Sequence, residues 1–126
     1  MKLAIVGSVS LAGNEEAASR IRELLDRYRP DAVVSGGAVG IDTMAEDEAR
    51  RRGIPTIIYR PRVLAWNPPA GYGFRARNID VVTACDRLAR IVAHRSKTYG
   101  SGWTRDYAAK LGKPTEEYVI GSKEPS

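Results

Sequence analysis

Sulfur and imidazole are almost missing from this 126-residue chain, in which Cys85 is the one cysteine and His94 the one histidine. A single cysteine excludes an internal disulfide, and one of each residue leaves a Cys/His zinc site short of ligands. Cys85 is therefore read as a packing residue, and no metal or cofactor is expected. Long apolar runs are missing too. Nothing approaches the roughly 20 residues of a membrane-spanning helix, so no membrane partner is expected. The opening MKLAIVGSVS reads as a first strand rather than a secretory leader, which makes a cytoplasmic location the expectation. Acidic residues are absent from one long stretch, Arg60 to Asn78, which holds Arg60, Arg62, Arg75 and Arg77 and supplies much of the +5 net charge. A basic balance favours anionic partners, although it does not choose among them.

What is present alternates. Lys2 to Val6 is a short apolar strand, and Asn14 followed by Glu15 and Glu16 has the form of a helix N-cap with an acidic first turn. The helix after it carries Ala17, Ile21, Leu24, Leu25 and Tyr28 at helical spacing and stops before Pro30. Asp31 to Ser35 gives the second strand. The next helix places Ile41, Met44, Ala45 and Ala49 on one face, with Arg50, Arg51 and Arg52 late, where they complement the helix dipole. Pro55 to Tyr59 is a third strand, Phe74 to Cys85 a helix with Ile79 and Val82 inward, and Leu88 to Ala93 a fourth strand. Gly102 to Leu111 is the last helix and Thr115 to Ile120 the fifth strand. Strand–helix alternation of this kind predicts an α/β fold: a Rossmann-like three-layer sandwich, with a mostly parallel five-stranded sheet and helices on both faces. One domain over residues 1–120 and a flexible tail over 121–126 are expected.

Every candidate functional loop follows a strand, so all should lie on one rim of the sheet. Gly7 and Ser8 follow the first strand. Ser35, Gly36 and Gly37 follow the second, where a strand-to-helix turn exposes main-chain N–H groups suited to a phosphate. Gly40 suits close packing of helix on strand, and the same residues also fit a plain tight turn. Gly100 and Ser101 open the last helix, with Thr104 one turn inside, so amides and two hydroxyls can converge on an anion there or simply cap the helix. Asp42 complements a helix N-terminus or accepts from a ribose hydroxyl; Asp106 and His94 are weaker candidates for acid–base work. The long loop from Arg60 offers Trp66 either as a stacking face or as a pin that holds the loop to the body, with Arg75 and Arg77 as phosphate clamps beside Asn78.

Taken in order, IVGS, VVSGGAVGIDTMAEDEARRRGIP, the pair Arg77-Asn78 and GSGWTRDYAAKLGKP resemble the SLOG superfamily of Rossmann-like proteins, over about residues 3–120. The nearest likeness is to its small stand-alone members, which have no assigned function and carry an SGGAxGxD motif and a later Arg-Asn pair. Two other branches share parts of the pattern. The DNA-processing protein A family has a similar SGxAxGID turn and GSxxT element, matched by Ser35 to Asp42 and by Gly100, Ser101 and Thr104, and it implies single-stranded DNA binding. The cytokinin-activating phosphoribohydrolases use PGGxGTxxE to bind nucleoside monophosphates. Here no Pro-Gly-Gly precedes the helix, and Val39 stands where many small relatives have arginine.

A nucleotide or nucleotide-derived ligand is accordingly the leading expectation, with its phosphate on the glycine-rich turns and its base under the aromatic loop. Hydrolysis of a nucleoside 5′-monophosphate at the N-glycosidic bond, through Asp42 or Asp106, is the alternative if the protein is an enzyme. Single-stranded DNA along a basic rim is the third, and so short a chain would then need a homodimer or higher homo-oligomer to hold a strand.

Overall fold

The computed structural model describes residues 1–94 and 99–121, so Arg95 to Thr98 and most of the expected tail, residues 122–126, lie outside it. The element order is β1 (Lys2–Gly7), α1 (Glu15–Tyr28), β2 (Ala32–Ser35), α2 (Ile41–Arg51), β3 (Thr56–Ile58), α3 (Phe74–Ala84), β4 (Arg87–Ala93), α4 (Tyr99–Lys110) and β5 (Thr115–Ile120). A single 3-10 turn, Val9–Leu11, separates β1 from α1.

All neighbouring strands pair in parallel, in the order β3-β2-β1-β4-β5. Parallel neighbours need a crossover, and each helix supplies one. Strand residues alternate between the two faces. Leu3 and Ile5 of β1, Val33 of β2 and Ala89 and Ile91 of β4 pack under the apolar stripes of α1 and α2. Ala4, Val6, Val34 and Leu88 pack under Val81 and Val82 of α3 and Ala108 of α4. The result is the three-layer α/β sandwich with a fully parallel sheet.

Local chemistry sets the element ends. Asn14 Oδ1 accepts from the Ala17 N–H at 2.9 Å and caps α1, and Arg29 closes that helix in the left-handed region ahead of Pro30. The late arginines of α2 pair within the chain, Arg50 with Asp47 at 2.9 Å, Arg51 with Glu48 at 2.8 Å and Arg52 with Asp26 at 2.7 Å. Cys85 is buried in the core under α3.

Two expectations change. In α3 the buried positions are Asn78, Val81 and Val82, so Val82 faces inward as expected, whereas Ile79 is half-exposed. Helix α4 begins at Tyr99 rather than Gly102, so Gly100 and Ser101 stand inside its first turn despite the poor helix propensity of glycine.

Candidate functional site

At the carboxyl ends of the strands, β1 lies between β2, with which the chain works outward to β3, and β4, with which it works outward to β5. This reversal of direction opens a crevice where α/β proteins hold ligands. A pocket of about 200 Å³ occupies it. Its wall takes Gly7 and Val9 from the end of β1, Gly36, Ala38 and Asp42 from the β2–α2 turn, Arg77 and Asn78 from α3, and Gly100, Ser101 and Thr104 from α4. The two glycine-bearing segments, more than sixty positions apart, thus face one space, as their places after β2 and β4 require.

At Gly7 the approach of β4 leaves no room: an added Cβ would lie 1.8 Å from the Ile91 carbonyl oxygen. Ser8 is buried and faces β4, where its Oγ accepts from the Ala93 N–H at 3.0 Å. Gly40, at φ +93°, lies against the main chain of Ser8 and Val9, so its role is close packing. Gly37, at φ +72°, turns towards the Arg60 side chain.

Three amides of the β2–α2 turn already have acceptors. Asp42 Oδ2 accepts from Gly36 N–H at 3.1 Å and from Ala38 N–H at 3.3 Å, and Ser35 Oγ accepts from Gly37 N–H at 3.0 Å. Ser35 in turn donates to Glu46 Oε2 at 2.5 Å, and both residues are buried. Asp42 is 5% exposed. Burial raises its pKa from 3.8 to about 7, with Glu46 one helical turn away adding to the rise, while the two N–H donors and Arg77 oppose it.

Across the pocket, Arg77 donates through Nη1 to the Gly36 carbonyl at 2.6 Å and through Nε to Asn78 Oδ1 at 2.7 Å. The second bond fixes the Asn78 amide, whose Nδ2 is buried and has no partner among the described residues. Ser101 Oγ accepts from Arg90 Nε at 3.0 Å and keeps its O–H to donate. Thr104 does not offer its hydroxyl proton to an anion, because Oγ1 donates back to the Gly100 carbonyl at 2.8 Å.

Parallel strands, their order and a crevice at the reversal make a fold that can be compared. The chain is similar in fold to DNA processing protein A. The solved structure of that protein, from Streptococcus pneumoniae, aligns with a TM-score of 0.54 and 18% identity, over 96% of this chain and 58% of that one. No family model matches the chain, and no curated protein matches it. At this identity the likeness to DNA processing protein A is one of fold, and the chain spans a little over half of its length.

Ser8, Ser35, Gly37 and Gly40 back the pocket without lining it, and Trp66, Arg75 and Asp106 stand apart from it. Trp66 packs edge-on to Trp103 of α4 with ring centroids 5.1 Å apart, and Trp103 stacks on Tyr107 at 5.1 Å. Trp66 therefore pins the long loop to α4 and does not cover the crevice. Arg75 lies 5.9 Å from the Trp103 ring centre and lines a separate groove with Trp103, Asp106, Tyr107 and Lys110. Asp106 is exposed, paired with Arg105 at 2.9 Å and outside the crevice, which removes the geometric basis for a catalytic role there. His94 is half-buried just after β4, and its main-chain N–H donates to the Ile120 carbonyl at 2.9 Å. The sequence reading missed Glu46, whose spacing of four from Asp42 on α2 is the signal for it, and Trp103, whose ring completes the aromatic cluster. Among the described residues no group of three or more His, Cys, Asp or Glu side chains could hold a metal ion, and no helix is long and apolar enough to cross a membrane.

Proposed function

We propose that the crevice binds a nucleotide or nucleotide-derived ligand, in keeping with the SLOG-like motifs at Ser35 to Asp42 and Gly100 to Thr104. The observation that carries this is Asn78, a buried amide whose Nδ2 has no partner among the described residues and which lines a pocket shared with the first turn of α4 and Arg77. Native proteins rarely leave such a donor unmade, and a ligand oxygen satisfies it. The first-turn N–H groups of a helix and a guanidinium add to the same preference for an anion. Calorimetric titration with a panel of nucleoside mono-, di- and cyclic phosphates and ADP-ribose tests this. Saturable binding to at least one member, weakened at least ~10-fold by Arg77→Ala as for a lost charge-assisted hydrogen bond, is the expected result. Absence of binding across the panel refutes it. Free base appearing in the same mixtures would extend the proposal to N-glycosidic hydrolysis, for which Asp42, titrating near neutrality, has the properties of a general acid.

A second reading, single-stranded DNA binding, is favoured by the groove of about 340 Å³ in which Trp103 and Tyr107 lie beside Arg75 and Lys110. Aromatic faces flanked by cations are what stacked bases and their phosphates require.

A further inference from the structure

A Gly-Gly turn ahead of a helix is where a nucleotide phosphate is ordinarily expected. In this chain the seat is taken. The N–H groups of Gly36 and Ala38 converge on one carboxylate oxygen of Asp42, and that of Gly37 on Ser35 Oγ. A phosphate placed there would have to displace a buried side chain and lie against the carboxylate it displaced. The other oxygen of Asp42 accepts from no described residue, and Asp42 is part of the pocket wall.

The opposite wall has the reverse character. It brings together the first turn of the twelve-residue helix α4, the Ser101 hydroxyl, which accepts from Arg90 at 3.0 Å, and Asn78, whose Nδ2 has no partner among the described residues, while Arg77 reaches across to the Gly36 carbonyl at 2.6 Å. Hydroxyl, amide and helix N–H donors thus lie at one end of the cavity and a carboxyl group at the other, with the Arg77 guanidinium reaching to the carboxyl end. At about 200 Å³ the space is smaller than the ~300 Å³ at which pockets begin to enclose drug-sized molecules.

We propose that the crevice recognises a sugar phosphate in one fixed direction, with the phosphate on the α4 side, the sugar hydroxyls on Asp42 and the base outside. This rests on the nucleotide proposal above and narrows it. A carboxyl group can accept from a hydroxyl when ionised and both donate and accept when protonated, so a diol suits it in either state. An anion suits it only when it is protonated. The glycine turn serves to position Asp42 rather than to hold phosphate.

The test compares ribose 5-phosphate, AMP and 2′,3′-dideoxy-AMP on the wild-type protein, and orthophosphate on wild type and Asp42→Ala by thermal shift. Ribose 5-phosphate should bind within ~10-fold of AMP, and the dideoxy compound at least ~10-fold more weakly, the discrimination expected when a buried polar group loses its hydrogen-bonded partner. Orthophosphate should raise the melting temperature of Asp42→Ala, whose vacated turn amides form an anion seat, more than that of wild type. Equal binding of AMP and its dideoxy analogue overturns the inference and leaves the nucleotide proposal standing; this comparison needs no variant and so survives a failure of Asp42→Ala to fold. Equal or greater stabilisation of the wild type by orthophosphate also overturns it. Binding of neither AMP nor ribose 5-phosphate removes the nucleotide proposal and this inference with it.

Discussion

At Gly7 a hydrogen atom is all that the end of β1 can present to β4, and at Asp42 a carboxyl group closes a turn that otherwise has no acceptor for two amides. The second residue makes stability depend on pH. Its folded pKa of about 7 lies above the unfolded value of 3.8, so the native state holds the proton more tightly. The contribution is fully present below about pH 4 and is lost as pH rises through 7. Asp42→Asn keeps an acceptor for the turn and carries no proton to lose. Its urea midpoint should stay nearly level between pH 5 and 8 while that of the wild type falls, leaving the variant more stable at pH 8 by roughly 1–3 kcal/mol. Parallel curves for the two proteins would show that burial does not raise the Asp42 pKa. The type of this residue and its place after the glycines were readable in the sequence. That it would close back onto Gly36 and Ala38 was not, because the closure depends on Gly37 and Gly40 both adopting positive φ, which no periodic pattern encodes.

At the scale of elements, the loop between β3 and α3 is long but well tied. Arg62 and Val63 N–H groups donate to the Tyr72 carbonyl at 2.7 and 3.0 Å, and Arg75 N–H donates to the Trp66 carbonyl at 2.8 Å. Tyr72 Oη donates to Asp80 at 2.5 Å. Trp66 docks this assembly on α4. Trp66→Ala should cost about 1 kcal/mol, the scale of one aromatic pair, and should speed amide exchange at Arg62, Val63 and Arg75 while β1 and β4 amides keep their protection. Unchanged exchange in the loop would mean that its own hydrogen bonds suffice. Strands and helices with clean periods, such as α1 with its Asn14 cap, were legible from residue types alone. The start of α4 at Tyr99 was not, because two glycines of poor helix propensity, Gly100 and Gly102, set the expected start at Gly102, and the docking of Trp66 was not, because its partner lies over thirty positions along the chain.

The whole molecule combines a recessed pocket with an open aromatic groove, and the two respond differently to salt. A strand laid along Arg75 and Lys110 would release counterions, and its affinity should fall steeply with added salt, whereas a ligand held inside the crevice should respond far less. Fluorescence anisotropy of a labelled oligonucleotide, read from 50 to 200 mM salt, distinguishes them: a drop of ~10-fold or more places nucleic acid on the groove, and no measurable binding at the lowest salt removes that reading. The parallel sheet and its two helical layers were foreseeable from the alternation of elements. The strand order was not, because chain sequence does not say on which side of β1 the fourth strand will lie.

That order has a consequence for the chain as it is made. Of the five strands the one made first becomes the middle of the sheet, and only one of its sides is filled by β2. Until Arg87–Ala93 has been added, the other side of Leu3 to Gly7 is a raw border of unpaired peptide groups, open to any strand that reaches it. A nascent chain that stalls before β4 therefore carries its greatest aggregation hazard at what will become its best-protected place.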